Sequence, residues 1–163
     1  MNQALLIIDV QEEYIGDRRE EPLYKETFEY INYVSGLFRK KGKKVIVVRH
    51  IEGEDTKGME NVNELMLDGT ETEVIKSYGN SFWKTDLEKM LREDGTDFLV
   101  LCGNAAEFCV LATYNGAIER GFRAAILQNG VFAATDTGLR DIAFNRPVIS
   151  YQAIEYMLDL QDK

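Results

Sequence analysis

The 163-residue chain holds two cysteines and one histidine, so the positions able to supply a nucleophile and its base are few. Cys109 stands in D-F-L-V-L-C-G-N-A-A-E-F-C-V-L-A-T, residues 97–113. Residues 98–102 are a short apolar run of the kind that forms a strand buried on both faces. Gly103 and Asn104 break that run, and residues 105–118 are helix formers closed by Gly121. Cys109 therefore falls in the first turns of a helix, where free N–H groups and the positive end of the macrodipole favour a thiolate. The same N–H groups could receive an oxyanion, so one turn would supply both nucleophile and oxyanion hole. The competing reading is a small buried hydrophobe, the commonest use of a cysteine in a packed helix.

Two groups compete as the base. Residues 4–8, A-L-L-I-I, are a pure apolar run of strand length that ends in Asp9, with Gln11, Glu12 and Glu13 just beyond. A carboxylate at the carboxyl end of a buried strand is where open α/β sheets place their ligand sites, although Asp is also a common turn residue. Residues 45–48 are a second such run, ending in Arg49 and His50, and a Cys-His pair is the obvious alternative. Lys76 likewise ends a short strand, residues 73–76, whereas Lys84 has no such placement.

The elements that must position these groups alternate along the chain. Residues 24–41 carry apolar side chains at 24, 28, 31, 34 and 38, the spacing of a helix with one buried face. With the strands on either side they make a β-α-β unit. Residues 51–72 are polar apart from a 62–67 patch and read as a long loop over the site with one helical turn. Thr85 and Glu88 form a capping box opening a helix to Arg92. A strand over 123–127, a helix capped by Asp136 or Thr137 and reaching Asn145, a last strand over 147–150 and a terminal helix over 154–160 complete the chain. The expected fold is α/β, a three-layer doubly wound, mainly parallel sheet with helices on both faces.

Composition narrows the function. A length of 163 residues with 45% apolar and 29% charged residues suits one domain spanning 1–163 that buries its core without staples. Two cysteines are too few for a disulfide framework, and the opening M-N-Q-A-L-L-I-I-D has neither a basic leader nor a membrane-length run, so a cytoplasmic protein is expected. The formal charge of −9, with no basic stripe, argues against nucleic acid and membrane partners. One histidine and no ligand set at zinc spacing argue against a metal, and no cofactor is expected.

Taken together, L-L-I-I-D-V-Q, V-I-K-S-Y-G-N-S-F-W-K-T-D-L and G-N-A-A-E-F-C-V-L-A-T, in that order and at those intervals, resemble the isochorismatase-like cysteine hydrolases, a superfamily that includes nicotinamidases and N-carbamoylsarcosine amidases. The resemblance covers residues 3–149. It implies a sheet order 3-2-1-4-5-6 and a catalytic triad of Asp9, Lys76 and Cys109. It also implies a non-proline cis peptide between Asn104 and Ala105, with the N–H groups of Ala105 and Cys109 as the oxyanion hole. Gln11, Tyr14, His50, Phe82 and Phe108 are then expected to line the substrate pocket. The sequence departs from the family at Asn104, Ala106 and Phe108, and its single His50 cannot supply the metal motif of nicotinamidases. The implied activity is hydrolysis of a C–N bond in a small amide or carbamoyl compound through a Cys109 thioester, by a homo-oligomer, dimer or tetramer. A non-catalytic binding protein of the same fold is the alternative, and a thiol redox role for Cys102 and Cys109 is weaker because no C-x-x-C is present.

Overall fold

The apolar run that opens the chain becomes β1 (Gln3–Ile8), in which every residue is buried. It lies at the centre of the sheet, between β2 (Lys44–His50) and β4 (Phe98–Gly103), and pairs with both in parallel. With β3 (Thr72–Lys76), β5 (Arg123–Val131) and β6 (Val148–Ile149) the computed structural model gives a six-stranded sheet in the order β3-β2-β1-β4-β5-β6, every pair parallel. Residues 1–159 are described. The expected α/β architecture and strand order are those observed.

The strands lack polar alternation because both faces are covered. Leu6 and Ile8 point into one core, packed under α3 (Leu87–Glu93), α4 (Cys109–Glu119) and α5 (Gly138–Asn145). Leu5 and Ile7 point into the other, with Tyr24, Phe28, Ile31, Val34 and Phe38 of the helix at Pro22–Lys40 and Ile154 and Leu158 of the helix at Tyr151–Asp159. In chain order these two helices are α2 and α6, and α1 is a single turn at Glu12–Ile15. Edge strand β3 differs: Val74 and Lys76 are buried while Glu73 and Ile75 are exposed.

Several boundaries depart from expectation. α4 begins at Cys109 rather than Ala105, residues 105–108 forming a turn. β5 runs on past residue 127: exposed Gln128 and Asn129, the latter at φ 59°, loop out, and the ladder resumes with Val131 opposite Gly103. A Q-N-G stretch reads as a turn, and here it is the bulge that lets the strand re-enter. The Thr85–Glu88 capping box does not form. The Thr85 hydroxyl donates to the Ser81 carbonyl and accepts from the Leu87 N–H, while Glu88 pairs with Arg120 and Arg92. Residues 51–71 contain no helical turn; they are laid along the segment after β1 by hydrogen bonds from Glu12, Glu13 and Val62. Leu160, the expected end of the terminal helix, lies outside the described residues. Among the described residues, no helix is long and apolar enough to cross a membrane.

Candidate active site

Strands β1 and β4 are the neighbours from which the crossover connections run in opposite directions, and the crevice beyond their carboxyl ends is the natural ligand site of such a sheet. Two close approaches shape that crevice. Gly103 has φ +107°, and a Cβ there would stand 2.1 Å from the Ile8 carbonyl oxygen, so only glycine lets β4 come this near β1. Asn104 N–H then donates to that same carbonyl at 2.7 Å. Asp9 follows at once with φ 51°, a left-handed conformation that Asp tolerates better than most residues and that points to a constrained position.

Past Asn104 the chain turns through a cis peptide between Asn104 and Ala105. The turn is pinned to the extension of β5: Phe132 N–H donates to Gly103 O at 2.9 Å, and Ala106 N–H donates to Phe132 O at 2.8 Å. Glu107 adds a second tie, its carboxylate accepting from the N–H groups of Ala134 and Thr135 and from the Thr135 hydroxyl. Cys109 is the first residue of the eleven-residue α4, and neither its N–H nor that of Ala105 has an acceptor among the described residues. These are two unpaired donors beside the thiol, an arrangement suited to a developing oxyanion.

Lys76 and His50 arrive from the other side, as directly paired last residues of β3 and β2. The Lys76 side chain is wholly buried and reaches across β2. Its Nζ lies 2.7 Å from Asp9 Oδ2, 3.0 Å from His50 Nδ1 and 3.3 Å from Cys109 Sγ. An ammonium has only donors, so His50 Nδ1 is the acceptor and the imidazole is neutral with its proton on Nε2. Nε2 faces Glu52 Oε1 at 3.2 Å. With Nδ1 occupied by Lys76 and Nε2 protonated, His50 has no free lone pair with which to take the thiol proton. Asp9 does: its Oδ1 is buried and has no hydrogen-bond partner among the described residues.

Burial raises the Asp9 carboxyl above its ordinary range, opposed by the Lys76 charge and hydrogen bond and by Cys109 and His50. Burial, followed by the facing Asp9 charge, lifts the Cys109 thiol from 9.0 to about 11, with Lys76 pulling the other way. The helix N-terminus therefore does not leave a resting thiolate, because desolvation and a neighbouring carboxylate outweigh it. Cys102 is fully buried, donates to Leu6 O and is pushed further up by desolvation alone.

The remaining expected pocket residues divide. Tyr14 is 37% exposed and meets His50 edge-on, with ring centroids 6.2 Å apart. Its phenol is raised by burial and then by Asp9, Cys109, Glu52 and Glu13. Phe108 is exposed beside Cys109. Gln11 and Phe82 do not line a pocket. Gln11 is fully buried, and its amide is spent on His50 N–H, His50 O and Met59 O, clamping β2 and the following loop to the end of β1. Phe82 is buried in the core, stacked on Phe122. Glu52 and Glu107 were not expected at the site: Glu52 stands in a polar loop and Glu107 in a turn, and nothing local names the partner of either. No metal ligand set was expected, and donor atoms of Asp9, His50 and Cys109 lie within 4.8 Å of one another.

An isochorismatase domain model matches residues 3–161. The chain is 30% identical to an uncharacterized isochorismatase family protein, YddQ, of Bacillus subtilis, over 83% of this chain and 80% of the relative. Among solved structures, N-carbamoylsarcosine amidase from Thermoplasma acidophilum superposes with a TM-score of 0.78 at 26% identity, covering 92% of this chain and 96% of the other. Nicotinamidase from Bacillus subtilis shares the fold at a TM-score of 0.78 and 22% identity, with 91% and 99% covered. The extent of the domain match, with a relative 30% identical over 83% of this chain beside it, establishes that this chain belongs to the isochorismatase family.

Proposed function

We propose that the chain is a cysteine hydrolase that cleaves a C–N bond in a small amide or carbamoyl compound through a thioester on Cys109. The observation that carries this reading is the Lys76 ammonium, hydrogen-bonded at once to Asp9 and Cys109 in a crevice with two unpaired N–H donors. The named activities of two structural neighbours, an N-carbamoylsarcosine amidase and a nicotinamidase, support the bond type.

In this mechanism Asp9 accepts the thiol proton on Oδ1 as the sulfur attacks the substrate carbonyl carbon. Lys76 stabilises the thiolate as it forms, and the Ala105 and Cys109 N–H groups receive the oxyanion, an interaction whose loss costs about 100-fold to 1,000-fold in such sites. Asp9 returns the proton to the departing nitrogen as the C–N bond breaks, and ammonia or an amine leaves. Water takes its place and gives a proton to Asp9 while its oxygen attacks the thioester carbonyl. The C–S bond breaks, the acid departs, and Asp9 reprotonates the sulfur. Lys76 holds Asp9 Oδ2 through its hydrogen bond, so that Oδ1 is left to exchange the proton with the sulfur. Tyr14 and Phe108 flank the entrance and contact the substrate.

Ammonia release measured across small primary amides, ureas and N-carbamoyl amino acids tests the proposal. Release from at least one compound, abolished in Cys109→Ala, is expected. A panel without release, or release that survives Cys109→Ala, would point to a non-catalytic binding protein or to a different nucleophile.

A further inference from the structure

Asp9, His50 and Cys109 supply a carboxylate oxygen, an imidazole nitrogen and a sulfur, the three ligand types that bind Zn2+ in proteins. Their donor atoms lie within 4.8 Å of one another. What stands among them is a cation already: the Lys76 ammonium, 2.7, 3.0 and 3.3 Å from the three. We propose that Asp9, His50 and Cys109 form an inhibitory site for a thiophilic divalent cation, Zn2+ or Cd2+, which Lys76 holds closed by occupying the cation's place.

Three further features fit a metal site. The His50 tautomer is the one a metal needs, since Nδ1 carries the lone pair and the proton is on Nε2. That Nε2 faces Glu52 Oε1 at 3.2 Å, which is the carboxylate–histidine–metal arrangement by which outer carboxylates orient ligating imidazoles. Asp9 Oδ1 is buried with no partner among the described residues, so the carboxylate retains lone pairs to offer. Metal–ligand bonds of about 2.0 to 2.3 Å require each donor to move inward by roughly 0.6 to 1.0 Å from its present distance to Nζ. Charge also balances: as the dication enters, the Cys109 thiol and the Lys76 ammonium each lose one proton to solvent water, and the neutral Lys76 amine gives up its place. No electron is transferred, and a water completes the fourth position. A metal seated here takes the lone pairs of both nucleophile and base, so it inhibits rather than assists.

The test uses the full chain, first stripped with EDTA. Cd2+ is titrated and followed by its thiolate charge-transfer absorbance, and Zn2+ is scored by protection of Cys109 from iodoacetamide, read by peptide mapping. Lys76→Met, which removes the ammonium and keeps the stem, is expected to bind both metals at least about ten-fold tighter than the native chain. His50→Gln and Glu52→Gln are expected to weaken binding about ten-fold or more, the usual effect of losing a ligand or its orienting carboxylate. Lys76→Met leaves a buried carboxylate unpaired, so its folding is checked by circular dichroism. If it does not fold, the His50 and Glu52 variants, which keep the Lys76–Asp9 pair, decide the question. Equal affinity in the native, Lys76→Met and His50→Gln chains would mean that the metal sits on the thiol alone, and the proposal falls. So it does if neither the native nor the Lys76→Met chain shows metal protection. Labelling of Cys109 in metal-free protein is read separately and reports on the nucleophile.

Discussion

Lys76 has three N–H donors and gives one each to Asp9, His50 and Cys109, and that distribution assigns the proton traffic. Asp9 keeps a free acceptor oxygen among the described residues, while both ring nitrogens of His50 are engaged, so the two candidate bases separate by mutation. Asp9→Asn preserves shape and tolerance of the left-handed backbone, and it is expected to lower turnover by about 100-fold to 10,000-fold, the range for loss of a general base. His50→Gln is expected to affect substrate affinity more than turnover. Steady-state kinetics on a substrate found in the amide panel measures both, and a dead His50→Gln beside an active Asp9→Asn would reverse the roles. The pH behaviour of the thiol follows from the same neighbours. Because burial and the Asp9 charge push Cys109 to about 11, its alkylation by iodoacetamide should be slow at neutral pH and rise about tenfold per unit towards pH 11. A plateau reached below pH 8 would contradict this. A thiol raised on folding stabilises the native state fully below its ordinary value of 9.0 and loses that contribution as pH climbs through about 11. Cys109→Ala should accordingly flatten the decline of the melting temperature over that interval.

At the scale of elements, the site is a junction of four strand ends and one helix start, and its precision rests on how closely β4 approaches β1. Gly103→Ala is therefore expected to destabilise the chain more than an ordinary surface exchange. It places a methyl 2.1 Å from the Ile8 carbonyl at φ +107°, a strain of about 1 to 3 kcal/mol before any displacement of Asp9 or the 104–108 turn. Chemical denaturation measures it, and a change below a few tenths of a kcal/mol would show that the approach is not tight. Strand cores were legible at this scale because residues 4–8, 45–48 and 98–102 are apolar throughout, and so was the face of α2. The continuation of β5 was not, since Gln128, Asn129 and Gly130 have turn chemistry and only the pairing of Val131 with Gly103 reveals a bulge. Nor was the failure of Thr85 as a cap. Its hydroxyl is drawn to the Ser81 carbonyl, which depends on how residues 77–86 fold over α4.

Across the whole molecule, alternation of strands and helices gave the doubly wound sheet, and the order of strands put Asp9 and the Cys109 turn at the same crevice. Lys76 was harder to place from local pattern, because β3 is the edge strand and its side chain must cross β2 to reach the others. Its assignment came through resemblance rather than through spacing. Gln11 and Phe82 were misread for a related reason: whether a residue near a site faces the ligand or the core depends on loops 51–71 and 77–86, whose paths local sequence does not determine. The proposed reaction requires Cys109 to carry the acyl group during turnover. Rapid acid quench of the enzyme with a substrate from the amide panel, followed by intact-mass and peptide mass spectrometry, tests it directly. The predicted result is an added acyl or carbamoyl mass on the peptide containing Cys109, increased when hydrolysis is slowed and absent in Cys109→Ala. Turnover that continues at full rate in Cys109→Ala, or an adduct found on another residue, would contradict it.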